Sequence, residues 1–68
     1  MKNYFDMAYK GKFNGSHVFE IALNIFDYTV YYNAEGYAHG SKFWFSQKPN
    51  TNSEVNFIKK QINKYLNN

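Results

Sequence analysis

No cysteine occurs in the 68 residues, which excludes disulfides and thiolate metal sites. Arginine is missing as well: all eight basic residues are lysine. Arginine is the usual choice for bidentate contacts to phosphate and guanine, so its absence argues against a sequence-specific DNA reader. Non-specific attraction to a phosphate backbone through lysine is retained. No apolar run approaches the ~20 residues of a membrane-spanning helix. The stretch MKNYFDMAYKGK has neither the apolar centre nor the small-residue cleavage site of a secretion signal, so a cytoplasmic location is expected. Carboxylates number five, and the two histidines, His17 and His39, have no metal-ligand partner at short spacing. From that set no metal, no cofactor and no enzymatic activity is expected.

What the chain has in quantity is aromatic mass. Seven Phe, seven Tyr and one Trp make up 22% of it. Each buried ring removes ~150–250 Å² from water. That compensates for a length at which only about 60% of the unfolded surface is buried on folding. Residues 1–68 are expected to form a single small domain. The formal charge of +3 and the pI near 9.2 are a mild basic bias. Ten asparagines beside eight lysines indicate an AT-rich genome.

The stretch DYTVYYNAEGYAHGSKFWFS, residues 27–46, organises the rest. One arm is rich in aromatic and β-branched residues, the other carries Phe43, Trp44 and Phe45, and Asn33-Ala34-Glu35-Gly36 has turn chemistry. The expected register sets Tyr32 opposite Tyr37, Val30 opposite His39 and Phe26 opposite Phe43. It also sets Asp27 opposite Lys42 and Ile25 opposite Trp44 on the other face.

Residues 3–13 alternate, with Phe5, Met7, Tyr9 and Phe13 on one face and Tyr4, Asp6, Lys10 and Lys12 on the other. Asn14-Gly15 then predicts a hairpin. Residues 16–26 fit a strand through Phe19, Ile21, Leu23 and Ile25. They also fit a helix, with Ser16 as N-cap and Val18, Ile21, Ala22 and Ile25 as its stripe. The strand is preferred on the Asn-Gly signal and the β-branched content. Its unbroken register opposes an apolar face to a polar one, which a one-residue bulge near the turn repairs; Gly11 suits such a bulge. A second bulge at Asn24-Ile25 is expected, because the inward set changes parity between Leu23 and Phe26. Pro49 ends the sheet. From Ser53 onward a helix is predicted, with Thr51, Asn52 or Ser53 as cap, Glu54 in the first turn, and Val55, Ile58, Ile62 and Tyr65 or Leu66 inward.

The expected fold class is α+β: an antiparallel meander of three to four strands with one C-terminal amphipathic helix packed on one face. If residues 16–26 are helical, it becomes β-α-β-β-α. On this geometry Phe26, Tyr28, Val30, Phe43 and Phe45 form the floor under the helix. Ile25, Tyr31, Lys42 and Trp44 face a partner, with Lys10 and Lys12 nearby. Lys59, Lys60 and Lys64 form a second basic patch on the helix exterior.

Gly15-Ser16-His17, an apolar strand and a terminal helix resemble the HicA-type toxin ribonucleases, small double-stranded-RNA-binding-like domains with a catalytic histidine shortly after Gly-Ser. The likeness spans three residues and a loose βα outline. It lacks the family's N-terminal helix and the basic residues that usually follow the histidine. It implies His17 as general acid and base in RNA cleavage.

The composition points more directly to a small non-enzymatic interaction or inhibitor protein that works by occlusion. Trp44 and Tyr31 are its anchors, and a host protein or nucleoprotein is its target. In style it is similar to phage or mobile-element accessory proteins, among them anti-defence inhibitors such as anti-CRISPRs. The alternative is a nucleic-acid-binding module on the same aromatic and lysine face. A homodimer through that face is a further outcome.

Overall fold

The computed structural model describes residues 4–67. Strands β1 (Phe5–Phe13), β2 (Ser16–Leu23), β3 (Phe26–Tyr32) and β4 (Phe43–Phe45) precede one helix, α1 (Asn52–Leu66). The strands form a single antiparallel sheet in the order β1-β2-β3-β4. The expected α+β meander is the fold, and the segment after Asn14-Gly15 is a strand. Both residues of that turn have positive φ, +51° at Asn14 and +83° at Gly15, as a tight hairpin turn requires.

The predicted bulge is present in β1. Phe13 pairs with Ser16 and Lys12 with His17, but Tyr9 pairs with Phe19, so Lys10 and Gly11 together oppose Val18. Gly11 takes φ +94° there. Its consequence differs from the plain alternation. Cross-strand partners share a face, so Lys12 lies on the side of His17, and Phe13 moves with Ser16 to the opposite side.

Two connections depart from expectation. Leu23 pairs directly with Phe26, which makes Asn24-Ile25 a two-residue turn between separate strands, not a bulge within one. Asn24 accepts φ +58°, a conformation its short polar side chain tolerates. Its backbone N–H donates to the Tyr4 carbonyl (2.8 Å), and its Oδ1 accepts from the Tyr4 N–H (3.1 Å). The turn still aligns the two inward sets: Phe19 with Val30 and Ile21 with Tyr28.

The third hairpin has a different register. Tyr32 pairs with Phe43, Tyr31 with Trp44 and Val30 with Phe45. The loop therefore runs from Asn33 to Lys42. It contains two successive turns, closed by Gly36 N–H to the Asn33 carbonyl (2.9 Å) and Gly40 N–H to the Tyr37 carbonyl (2.8 Å). The reason is what each register puts under the helix. Both offer aromatic pairs, and the observed one brings the rings of Tyr32 and Phe43 to 5.1 Å and those of Tyr31 and Trp44 to 5.5 Å. The shorter loop, however, would set the polar His39 opposite the fully buried Val30, where the observed register places Phe45 against the core.

Helix α1 begins with a reciprocal capping box. Thr51 Oγ1 accepts from the Glu54 N–H (3.2 Å), and Glu54 Oε1 accepts from the Thr51 N–H (3.2 Å). Val55, Ile58 and Ile62 are buried. Ile58 and Ile62 join Phe19, Ile21, Leu23, Tyr28 and Val30 in one core, flanked by Phe5, Met7, Tyr32, Phe43, Phe45 and Leu66. The floor under the helix is as expected, except that Phe26 lies at its margin, 37% exposed. Tyr65 stays half-exposed yet packs on Tyr9 and Phe19.

Candidate functional site

Helix α1 covers one face of the sheet and leaves the other open. On the open face Tyr31 and Trp44 are cross-strand partners whose rings meet edge to face at 5.5 Å. Trp44 is 46% exposed, so it is not buried beneath the helix. Phe13, carried to this face by the bulge, is 62% exposed. Tyr37 leans in from the loop, its hydroxyl 2.7 Å from Oγ of the buried Ser16. With Asn14 and Asn33 these side chains line a shallow depression of ≈ 610 Å³. It can hold an apolar or planar group against rings, with amide and phenol groups at its rim.

The expected site residues divide accordingly. Tyr31 and Trp44 meet as partners on the open face. Ile25 does not join them: it sits at the tip of the β2–β3 turn, 89% exposed, six residues or roughly 20 Å along β3 from Tyr31. Lys10 is on the open face, where its Nζ lies 4.0 Å from Glu20 Oε1. Lys12 is turned to the helix side by the bulge. Lys42 ends the loop beside β4, across the sheet from β1, so Lys10 and Lys42 form no joint patch. Lys60 and Lys64 are exposed on α1. Lys59 is half-buried, its Nζ 5.4 Å from the centre of the Phe43 ring, which ties it to the core edge rather than to a free patch.

Below the aromatic end, the open face has a second depression, ≈ 450 Å³, whose rim carries Asp6, Glu20 and Asp27 over a floor that includes Ala8, Ala22 and Thr29. Sequence reasoning omitted these carboxylates, Phe13 and Tyr37 from the site. The carboxylates were available from strand alternation alone. Phe13 needed the bulge's position, and Tyr37 needed the loop's path, for which no local pattern exists.

The histidines are separated. His17 Nδ1 lies 2.8 Å from the Tyr9 hydroxyl, and its ring packs beside Tyr9 and Tyr32. His39 stacks on Tyr37 in the loop. Among the described residues no three His, Cys, Asp or Glu side chains come together as a metal site. Among them no helix is long and apolar enough to cross a membrane. No family model matches the chain, and neither curated proteins nor solved structures include a significant match.

Proposed function

We propose that this protein is a small non-enzymatic interaction protein that occludes a functional surface of a host protein or nucleoprotein, with Tyr31 and Trp44 as anchors. Phage or mobile-element accessory proteins with an anti-defence role, working in the cytoplasm, are the class it fits. The observation that carries this reading is the open face. A domain with a fully formed core elsewhere leaves Trp44, Tyr31 and Phe13 together at the surface. Tyr and Trp in such clusters dominate binding energy at protein interfaces. The test is a pull-down with the wild-type chain and with Tyr31→Ala/Trp44→Ala, each with and without nuclease. A partner retained after nuclease and lost from the double variant supports the reading. A partner held equally by the double variant refutes it.

The second reading is a nucleic-acid-binding module on the same face, favoured by rings able to stack bases with Lys10 and Lys42 at the margins. Binding by that route weakens steeply as salt rises. The third is RNA cleavage with His17 as general acid and base. Wild-type RNA cleavage that disappears in His17→Ala is its signature, and no cleavage by the wild type ends it.

A further inference from the structure

Resting on the interaction reading, we propose that the open sheet face takes a basic protein surface: one presenting lysine or arginine about 13 Å from an aliphatic or aromatic side chain. The face is the part of the sheet left without a partner. The other face is closed by α1. Both sheet edges are blunted, β4 by its three-residue length and β1 by its bulge at Lys10 and Gly11, which are devices that discourage strand addition. That leaves the open face as the surface the sheet offers to a partner.

Two halves of that face select the same partner chemistry. The upper half offers the ring surfaces of Tyr31 and Trp44, which accept apolar groups and attract cations. The lower half is a trough floored by small side chains and rimmed by Asp6, Glu20 and Asp27. Of the two strand lysines, Lys10 lies on this face and is matched by Glu20 at 4.0 Å, while Lys12 lies on the other. The exposed helix lysines, Lys60 and Lys64, also lie away from it. Lys42 stands at the margin of the upper half, beside Asn33. So although the whole chain is positive at +3, the lower half of its open face is negative, with Asp6 and Asp27 left unmatched by a lysine. A phosphate backbone would be repelled there, and a basic side chain would be attracted. From Tyr31 to Asp27 is four residues of β3, about 13 Å, which sets the spacing.

The test is an NMR titration of the ¹⁵N-labelled full chain with three probes. These are a blocked peptide Arg-Ser-Arg-Ser-Leu-Ser-Arg-Ser-Arg, the same peptide with Glu for Arg, and a nine-nucleotide oligo-dT. Expected are shifts from the basic peptide in the amides of residues 29–31 and 44 and in those of Asp6, Ala22 and Asp27. Asp6→Asn/Asp27→Asn should weaken that binding roughly five- to tenfold, the scale of two exposed charge pairs. Tyr31→Ser/Trp44→Ser should weaken it independently. Equal binding of both peptides, unmoved by Asp6→Asn/Asp27→Asn but lost in Tyr31→Ser/Trp44→Ser, overturns the charge preference and leaves the interaction face standing. Shifts on this face from oligo-dT overturn both in favour of nucleic acid. Concentration-dependent self-association that buries the face overturns the basic-partner proposal in favour of a second copy of the chain. No shift on the face with any probe also overturns it.

Discussion

Replacing Ile58 by alanine separates the two faces of the sheet energetically. Ile58 is fully buried, midway along the α1 stripe between Val55 and Ile62. Removing a buried Ile side chain costs ~2–5 kcal/mol, with the higher values where the surroundings do not collapse. Here the surroundings are strand side chains, Phe19, Ile21 and Val30 among them. They are held by ladder hydrogen bonds and cannot follow the missing atoms inward, so ~3–5 kcal/mol is expected. A chain of 68 residues has about 3–10 kcal/mol in total. Ile58→Ala therefore removes a third or more of the stability and lowers Tm by at least ~12 °C. Trp44→Ala is the counterpart on the open face. Its ring is half-exposed and makes one edge-to-face contact, with Tyr31, worth ~0.5–1.5 kcal/mol beyond area. A loss of about 1–2 kcal/mol is expected. Urea unfolding followed by far-ultraviolet circular dichroism measures both without relying on the tryptophan. An Ile58→Ala cost below about 1 kcal/mol, or a Trp44→Ala cost exceeding that of Ile58→Ala, would show that α1 is not what closes the core.

Three further perturbations test separate features. Thr51→Ala breaks the capping box at α1 and should cost ~1 kcal/mol in urea unfolding, with Thr51→Ser restoring most of it. Gly11→Ala should cost about 1–2 kcal/mol through its left-handed backbone alone, since no atom lies within 4 Å of where the new methyl would sit; a loss matched by Gly11→Asn would refute the backbone origin. Burial, with Glu54 adding to it, holds the Tyr28 hydroxyl above its usual pKa, so the folded chain keeps that proton more tightly than the unfolded one. Stability from this group is present below about pH 10 and is lost as pH rises through the folded value, so Tyr28→Phe should show a shallower alkaline decline of the urea midpoint.

Local chemistry explains which parts of this fold are legible in the sequence. Asn14-Gly15, the Gly11 bulge, the Thr51–Glu54 cap and the Val55, Ile58, Ile62 stripe are each specified by residues within a few positions of one another. The inward sets of β2 and β3 follow from alternation, even though their link is a turn at Asn24-Ile25 and not a bulge. The register of β3 with β4 is different in kind. Asn33 through Gly36 does form a turn, yet a second turn at Tyr37 through Gly40 follows it. What decides between one turn and two is long-range: whether His39 or Phe45 lies opposite the buried Val30. The site inherits that pattern. Tyr31 and Trp44 are recognisable from face parity, while unbroken strand alternation puts Ile25 and Lys12 with them, and the Asn24-Ile25 turn and the Gly11 bulge interrupt that alternation.

The meander also has a kinetic consequence. Each strand pairs only with its neighbour in sequence, and two of the three links are two-residue turns. Closing such short loops costs little chain entropy, and a topology of this kind favours quick assembly. The sheet can grow one hairpin at a time, whereas α1 has nothing to pack against until β2 and β3 stand side by side. Truncations at the β2–β3 pair, such as Val30→Ala, should therefore slow folding, while Ile58→Ala should act mainly by hastening unfolding. The helix would then be a latch set after the sheet has formed, and its grip would determine how long the folded molecule persists.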